Sequence, residues 1–114
     1  MKPGAQAEQT AARYLQQHGL KLLQANFRCR FGEIDLILRD GETLVFAEVR
    51  LRSRSDFGGA AASIDRRKQG KLIRAAQLYL ASLAHLPPCR FDAVLLLSAD
   101  GAEGVEWIKN AFEV

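Results

Sequence analysis

The stretch GEIDLILRDGETLVFAEVR, residues 32–50, decides the fold. β-rich apolar runs flank Asp40-Gly41, with Glu33, Asp35, Glu48 and Arg50 set inside them. That dipeptide favours the tight turn of a β-hairpin, because both residues tolerate positive φ. The pattern predicts strands over 33–39 and 43–50 joined by a two-residue type I′ turn. With Asp40-Gly41 central, Arg39 faces Glu42, Glu33 faces Glu48, Asp35 faces Phe46 and Arg50 faces Phe31. Alternation then sends Glu33, Asp35, Glu48 and Arg50 out of one face, at the end away from the turn. A four-residue loop keeps that parity and a three-residue loop breaks it. The opposite face carries Ile34, Leu36, Leu38, Val45, Ala47 and Val49. Ile37, Leu44 and Phe46 make the charged face largely apolar too, so helices are expected over both faces of the sheet.

Charge inside apolar strands is costly unless it is compensated. Opposed Cβ atoms in a hairpin lie ~4.5–5.5 Å apart. Three carboxylates at such spacing repel one another, and one takes up a proton unless a cation sits among them. A divalent ion reverses that penalty. An all-oxygen donor set favours Mg²⁺ or Mn²⁺ over zinc. His18, His85, Cys29 and Cys89 are the chain's only imidazoles and thiols, and none has zinc-ligand spacing. The plainer reading is a solvated ion-pair network in which Arg50 or Arg52 neutralises Glu48. Convergence of four charges on one face weighs toward a metal site.

Around the hairpin, residues 4–18 read as a helix with Gly19 as its stop. Ala12 and Leu15 define its apolar stripe and Glu8 falls on the same stripe, so the helix aims a carboxylate toward the core side. A helix-edge position in water is an equal alternative for Glu8. Residues 20–28 are expected to form a first strand. Residues 51–62 form a polar, basic, Gly-containing loop. Ser63 can cap a helix running to about His85, with Asp65 in its first turn and Pro87-Pro88 beyond its end. Ile73, Ala76, Leu80 and Leu83 keep helical spacing and are expected to face the sheet. Arg67, Lys71 and Arg74 make a cationic stripe beside them, which alone would be an ordinary solvated face. Residues 91–98 read as a buried strand and 104–109 as a final strand.

The chain has 114 residues, 48% hydrophobic and 25% charged, which suits a single globular domain over 1–114. It has no membrane-length apolar run and no signal-peptide pattern, so a cytoplasmic location and reduced, partly buried thiols are expected. A net charge of +3 is only a weak sign of a polyanionic partner. Its distribution is the stronger sign. Arg50, Arg52, Arg54, Arg66, Arg67, Lys68, Lys71 and Arg74 stand against only Asp56 and Asp65 between positions 50 and 74.

A carboxylate after Gly in one strand, a hairpin turn and Glu-x-Lys in the next are the signature of the PD-(D/E)xK nuclease superfamily, and GEIDLI with AEVR resembles it. The chain is more closely similar to the YraN-like family of small bacterial proteins, predicted endonucleases that resemble archaeal Holliday junction resolvases. The likeness runs over nearly the whole length: Glu8 with AARYL, ANFR, GEIDLI, VFAEVRLRS, the FG loop, the helix ending in AAQLYL, CRFDAV and WIKNAF. It implies a restriction-endonuclease-like α/β core, a mixed sheet flanked by helices. It implies Asp35 and Glu48 as the metal-binding pair for Mg²⁺ or Mn²⁺, with Glu8 as a helix-borne acid and Glu33 as a further metal or water contact. Gln69 is similar to a polar helix residue found at some sites of the superfamily. A homodimer is implied in the same way. Arg50 departs from the pattern by standing where the superfamily has Lys, and arginine cannot act as a base.

Three functions stay open. The first is a Mg²⁺-dependent endonuclease acting on DNA, branched or structured DNA included, with Arg52, Arg54, Arg67, Lys71 and Arg74 on backbone phosphates. The second is a non-catalytic module that binds nucleic acid or a repair partner through a weakened site. The third is a structural domain whose acidic cluster is a salt-bridge network.

Overall fold

The hairpin forms where expected, in a shifted register. In the computed structural model, which describes residues 3–52 and 64–113, β1 (Lys21–Cys29), β2 (Gly32–Asp40) and β3 (Thr43–Leu51) run antiparallel in succession. Asp40 pairs with Thr43 and Leu36 with Ala47. The central turn residues are therefore Gly41 and Glu42, and of the two only Gly41 has positive φ, +62°. That is the pattern of a type II′ turn, with glycine in its first central position. Type I′ on Asp40-Gly41 is thus replaced, and Asp40 stays in the strand. The opposed pairs expected from Glu33 to Arg50 move by two residues. An even shift does not by itself move any side chain to the other face.

Helix α1 (Pro3–Gln17) precedes β1. It ends as its sequence suggests: Gly19 has φ +93°, its N–H donates to Gln16 O, and the Leu20 N–H donates back to Leu15 O, each at 3.1 Å. This Schellman closure satisfies two terminal carbonyls and redirects the chain into β1. After β3 the chain crosses through helix α2 (Arg66–Leu80) to β4 (Cys89–Leu96), then turns into β5 (Val105–Phe112). The sheet order is β1-β2-β3-β4-β5, with β3–β4 the parallel pair. A parallel pair needs a long crossover, and α2 supplies it.

The two helices cover opposite faces. Ala7, Ala11, Ala12 and Leu15 of α1 are buried against Leu36, Leu38, Val45, Ala47, Val49, Val94 and Leu96. Leu72, Ala75 and Ala76 of α2 are buried against Ile37, Leu44, Phe46, Phe91 and Ala93. Small alanines on both helices let the backbones approach the sheet closely. The result is a mixed α/β fold, a five-stranded mixed sheet between two helices, compatible with a restriction-endonuclease-like core. No described helix is long and apolar enough to cross a membrane.

Four expectations need correction. Helix α2 is capped by Asp65, whose carboxylate accepts the Lys68 N–H at 2.8 Å, while Ser63, the expected cap, lies outside the described residues. It also ends at Leu80, well before His85: the Ser82 hydroxyl donates to Tyr79 O at 2.6 Å, a local bond that competes with helix continuation. Leu83 therefore lies beyond the helix and is exposed. Strict alternation breaks at Asp35, since Ile34 joins the cluster under α2 while Leu36 and Leu38 lie under α1. Cys29 is half-buried as expected, but Cys89 is exposed; both thiols are free. Most of the expected 51–62 loop, including Arg54, lies outside the described residues.

One buried acid ties the far edge together. Asp92 of β4 is fully buried. It accepts from the Trp107 Nε1–H at 2.9 Å, the Asn110 N–H at 3.1 Å and Arg90 Nε at 3.1 and 3.2 Å. Those bonds hold the register shift between β4 and β5 opposite Phe91/Ala93. Removing a buried hydrogen-bonded charge partner costs about 3–5 kcal/mol. Asp92→Ala is therefore expected to lower the unfolding free energy by about 3 kcal/mol or more in urea titrations, with the m-value unchanged. A loss under about 1 kcal/mol would show that the network is not structural.

Candidate metal centre

The site begins where the β2–β3 ladder stops. Backbone pairing ends at Leu36 with Ala47. Beyond it the Val49 N–H donates to Asp35 Oδ2 at 2.9 Å, a side chain standing in for the neighbouring strand's carbonyl. The strands part there, and Asp35 is held in place by the backbone of β3.

Glu48 lies beside it on β3 and is only 4% exposed. Its Oε1 accepts from Lys68 Nζ of α2 at 2.7 Å, and Arg50 Nη2 is 3.9 Å away. Among the described residues its buried Oε2 has no hydrogen-bond partner. A buried carboxylate oxygen without a donor is unusual in a native protein and calls for an explanation. From α1 comes Glu8, from β2 Glu33, and carboxylate oxygens of Glu8, Glu33 and Asp35 lie within 4.8 Å of one another. Asn26 of β1 has φ +55°. With its amide nitrogen turned toward the acids, it donates to Glu8 at 2.9 and 3.1 Å and also to Glu33. Arg28 Nε stands 3.5 Å from Glu33.

The electrostatics match this crowding. The Glu8 carboxyl is pushed up from 4.5 to about 7, chiefly by burial and then by the charges of Asp35 and Glu33. The Glu48 carboxyl is also raised to about 7 by burial and by Asp35, although Lys68 and Arg50 pull the other way. The cations present thus leave the acids under-compensated. An all-oxygen donor set, an orphaned buried oxygen and unbalanced negative charge fit a hard divalent cation of the Mg²⁺ or Mn²⁺ kind.

The sequence-derived candidates separate into two sets. Glu8, Glu33, Asp35, Glu48 and Arg50 are brought together. Arg67 and Lys71 line a groove of about 550 Å³ with Glu33, Asp35 and Glu48. Arg74 is exposed on α2 and does not line it. Arg52 reaches away to Glu106 of β5, at 3.5 Å. Gln69 is used locally, donating to Ile64 O at 2.8 Å. Arg54 lies outside the described residues.

Lys68 is the residue that sequence reasoning missed. The signal was present: Lys68 stands four residues before Leu72 and seven before Ala75, both buried. A lysine on the apolar stripe of a helix points its ammonium toward the sheet, as Glu8 does from α1.

Comparison with known proteins shows a family. The sequence profile of the family described as "Uncharacterised protein family UPF0102" matches residues 7–96. The chain is 59% identical over 111 residues to a UPF0102 protein of Nitrosospira multiformis, covering 97% of this chain and 92% of that one. It is 58% identical over 110 residues to one of Nitrosomonas europaea, covering 96% and 92%. It is 52% identical over 113 residues to one of Pseudomonas fluorescens, again covering 96% and 92%.

The raised carboxyls fix the sign of a pH dependence. Between the ordinary 4.5 and about 7, the folded chain holds protons at Glu8 and Glu48 that the unfolded chain has lost. Stability is therefore expected to fall as pH rises through that window and to level off above it. Thermal melts without divalent ions should show a lower midpoint at about pH 8 than at about pH 5, with a shallower slope in Glu8→Gln. A midpoint that rises steadily over this range would contradict the assignment.

Proposed function

We propose that this chain, which belongs to the UPF0102 (YraN-like) family, hydrolyses phosphodiester bonds in DNA with the help of a divalent metal ion, and so acts as an endonuclease of the PD-(D/E)xK kind. The observation that carries the reading is the orphaned Oε2 of Glu48, buried next to Asp35 at the mouth of a cation-lined groove. Asp35 and Glu48 would hold Mg²⁺ or Mn²⁺, with Glu8 and Glu33 completing an oxygen shell directly or through water. When bound there, such an ion would supply positive charge at the attacked phosphate and lower the pKa of a water.

The chain's own groups do the rest. The Val49 N–H holds Asp35 in place before substrate arrives. Lys68 donates one N–H to Glu48, and an ammonium has two more for a phosphate oxygen or the attacking water. It thus puts a lysine at the site although Arg50 occupies the strand position where the superfamily carries one. Arg50 remains protonated and counters charge that builds on the phosphate. Arg67 and Lys71 hold flanking phosphates, contacts that carry no sequence information and favour recognition by shape.

The second reading, a binding module without cleavage, draws on Arg50 alone. The two are separated by incubating the protein with duplex, single-stranded and four-way-junction DNA, with and without Mg²⁺ or Mn²⁺. Metal-dependent cleavage is expected, lost on chelation and in Asp35→Ala. Lys68→Ala should reduce the rate by about 10²–10³-fold, whereas Arg50→Lys should change it little. Metal-independent binding with no cleavage of any substrate would favour the module. Strong activation by Arg50→Lys with Lys68→Ala unaffected would return the lysine's role to the strand.

A further inference from the structure

Two cavities meet at the carboxylates. One, of about 550 Å³, lies against α2 and is lined by Gly32, Arg67 and Lys71. The other, of about 460 Å³, lies against α1 and is lined by Glu8, Asn26, Arg28 and Arg50. Glu33, Asp35, Glu48 and Lys68 line both. The path therefore carries cations on each side of an acidic crossing, the charge pattern a polynucleotide backbone would follow with one phosphate at the acids.

The turn between β1 and β2 leads directly into this site, since Gly32 at its end lines the α2-side cavity. Cys29 pairs with Gly32, which leaves Arg30 and Phe31 as the tip. Phe31 adjoins Gly32 and Glu33, both in the wall of the α2-side cavity. The exposed Arg30 lays its guanidinium over the Phe31 ring, with its carbon 4.8 Å from the centroid. The contact holds the guanidinium against the ring, one residue before the cavity wall begins at Gly32. Arg28, on the same hairpin, extends the cationic wall toward α1. Guanidinium planes and aromatic rings are surfaces on which bases stack.

We infer that the strand bound at this site is DNA with unpaired bases, one of which stacks on the Arg30–Phe31 pair. In an intact duplex each base is covered on both faces by its neighbours and offers nothing to the tip. An unpaired base has a free face, so the same contact discriminates between the two. The inference rests on the nuclease reading for the course of the strand, but it concerns binding and is tested there.

The test measures affinity in an Asp35→Asn background with Mg²⁺ present, for a single-stranded oligonucleotide carrying 2-aminopurine and for its duplex. Binding of the single strand should quench the 2-aminopurine emission. Phe31→Ala should weaken single-strand binding roughly 5- to 100-fold and remove the quench, while duplex affinity changes little. Phe31→Trp should retain both. Arg30→Lys keeps the charge and loses the plane, and as a surface change it provides a second test that does not depend on folding. It should weaken the single strand selectively. Equal losses for single strand and duplex in Phe31→Ala and Arg30→Lys, or no loss in either, would overturn the inference. Duplex cut as readily as single strand would also overturn it and leave the nuclease reading intact. Selective single-strand binding without cleavage by the unaltered protein would do the reverse.

Discussion

The parting of β2 and β3 at Asp35 is the constraint on which the rest depends. A backbone N–H inside a sheet must find an acceptor, and at Val49 the acceptor is the carboxylate of Asp35. That exchange fixes Asp35, opens room between the strands and leaves Glu48 buried in the opening. Neither acid could sit there cheaply in an unbroken ladder. The break in alternation at Ile34 belongs to the same local event.

Both helices then act on the opening from opposite faces of the sheet. Helix α1 packs through alanines and Leu15 and brings Glu8 to the acids. Helix α2, capped at Asp65, brings Lys68 onto Glu48 from its first turn. Lys68, Arg50 and Arg28 do not offset the burial and crowding of the carboxylates, and Glu8 and Glu48 keep raised pKa values. A site left short of positive charge in the protein alone is suited to acquiring it from an ion and releasing protons in exchange.

Much of this was legible in the sequence, and the errors have local causes. From Leu36 to the turn, strand parity survived a wrong turn type because the true register differs by an even number of residues; at Ile34 it failed. Gly41 took the single positive-φ position, which sequence alone assigned to the pair Asp40-Gly41. The early end of α2 was hidden because Leu83 continues the helical spacing after the backbone has tightened to three-residue hydrogen bonds, Ser82 N–H to Tyr79 O and Leu83 N–H to Leu80 O. Lys68 was overlooked because the basic residues were read as one exposed stripe through Arg67, Lys71 and Arg74. The side-chain bond from Asp35 to β3 left no signature in the pattern at all, since strand spacing cannot say where a ladder ends. Arg52 shows the opposite failure: adjacent to the site in sequence, it is drawn to Glu106 on another strand.

The most direct measurement is calorimetric titration of the protein with Mn²⁺ near pH 7 in two buffers of different ionisation enthalpy. One ion per chain is expected to bind with release of protons from the crowded acids, and that binding should be lost in Asp35→Ala. Absence of binding, or binding unchanged in Asp35→Ala, would contradict it.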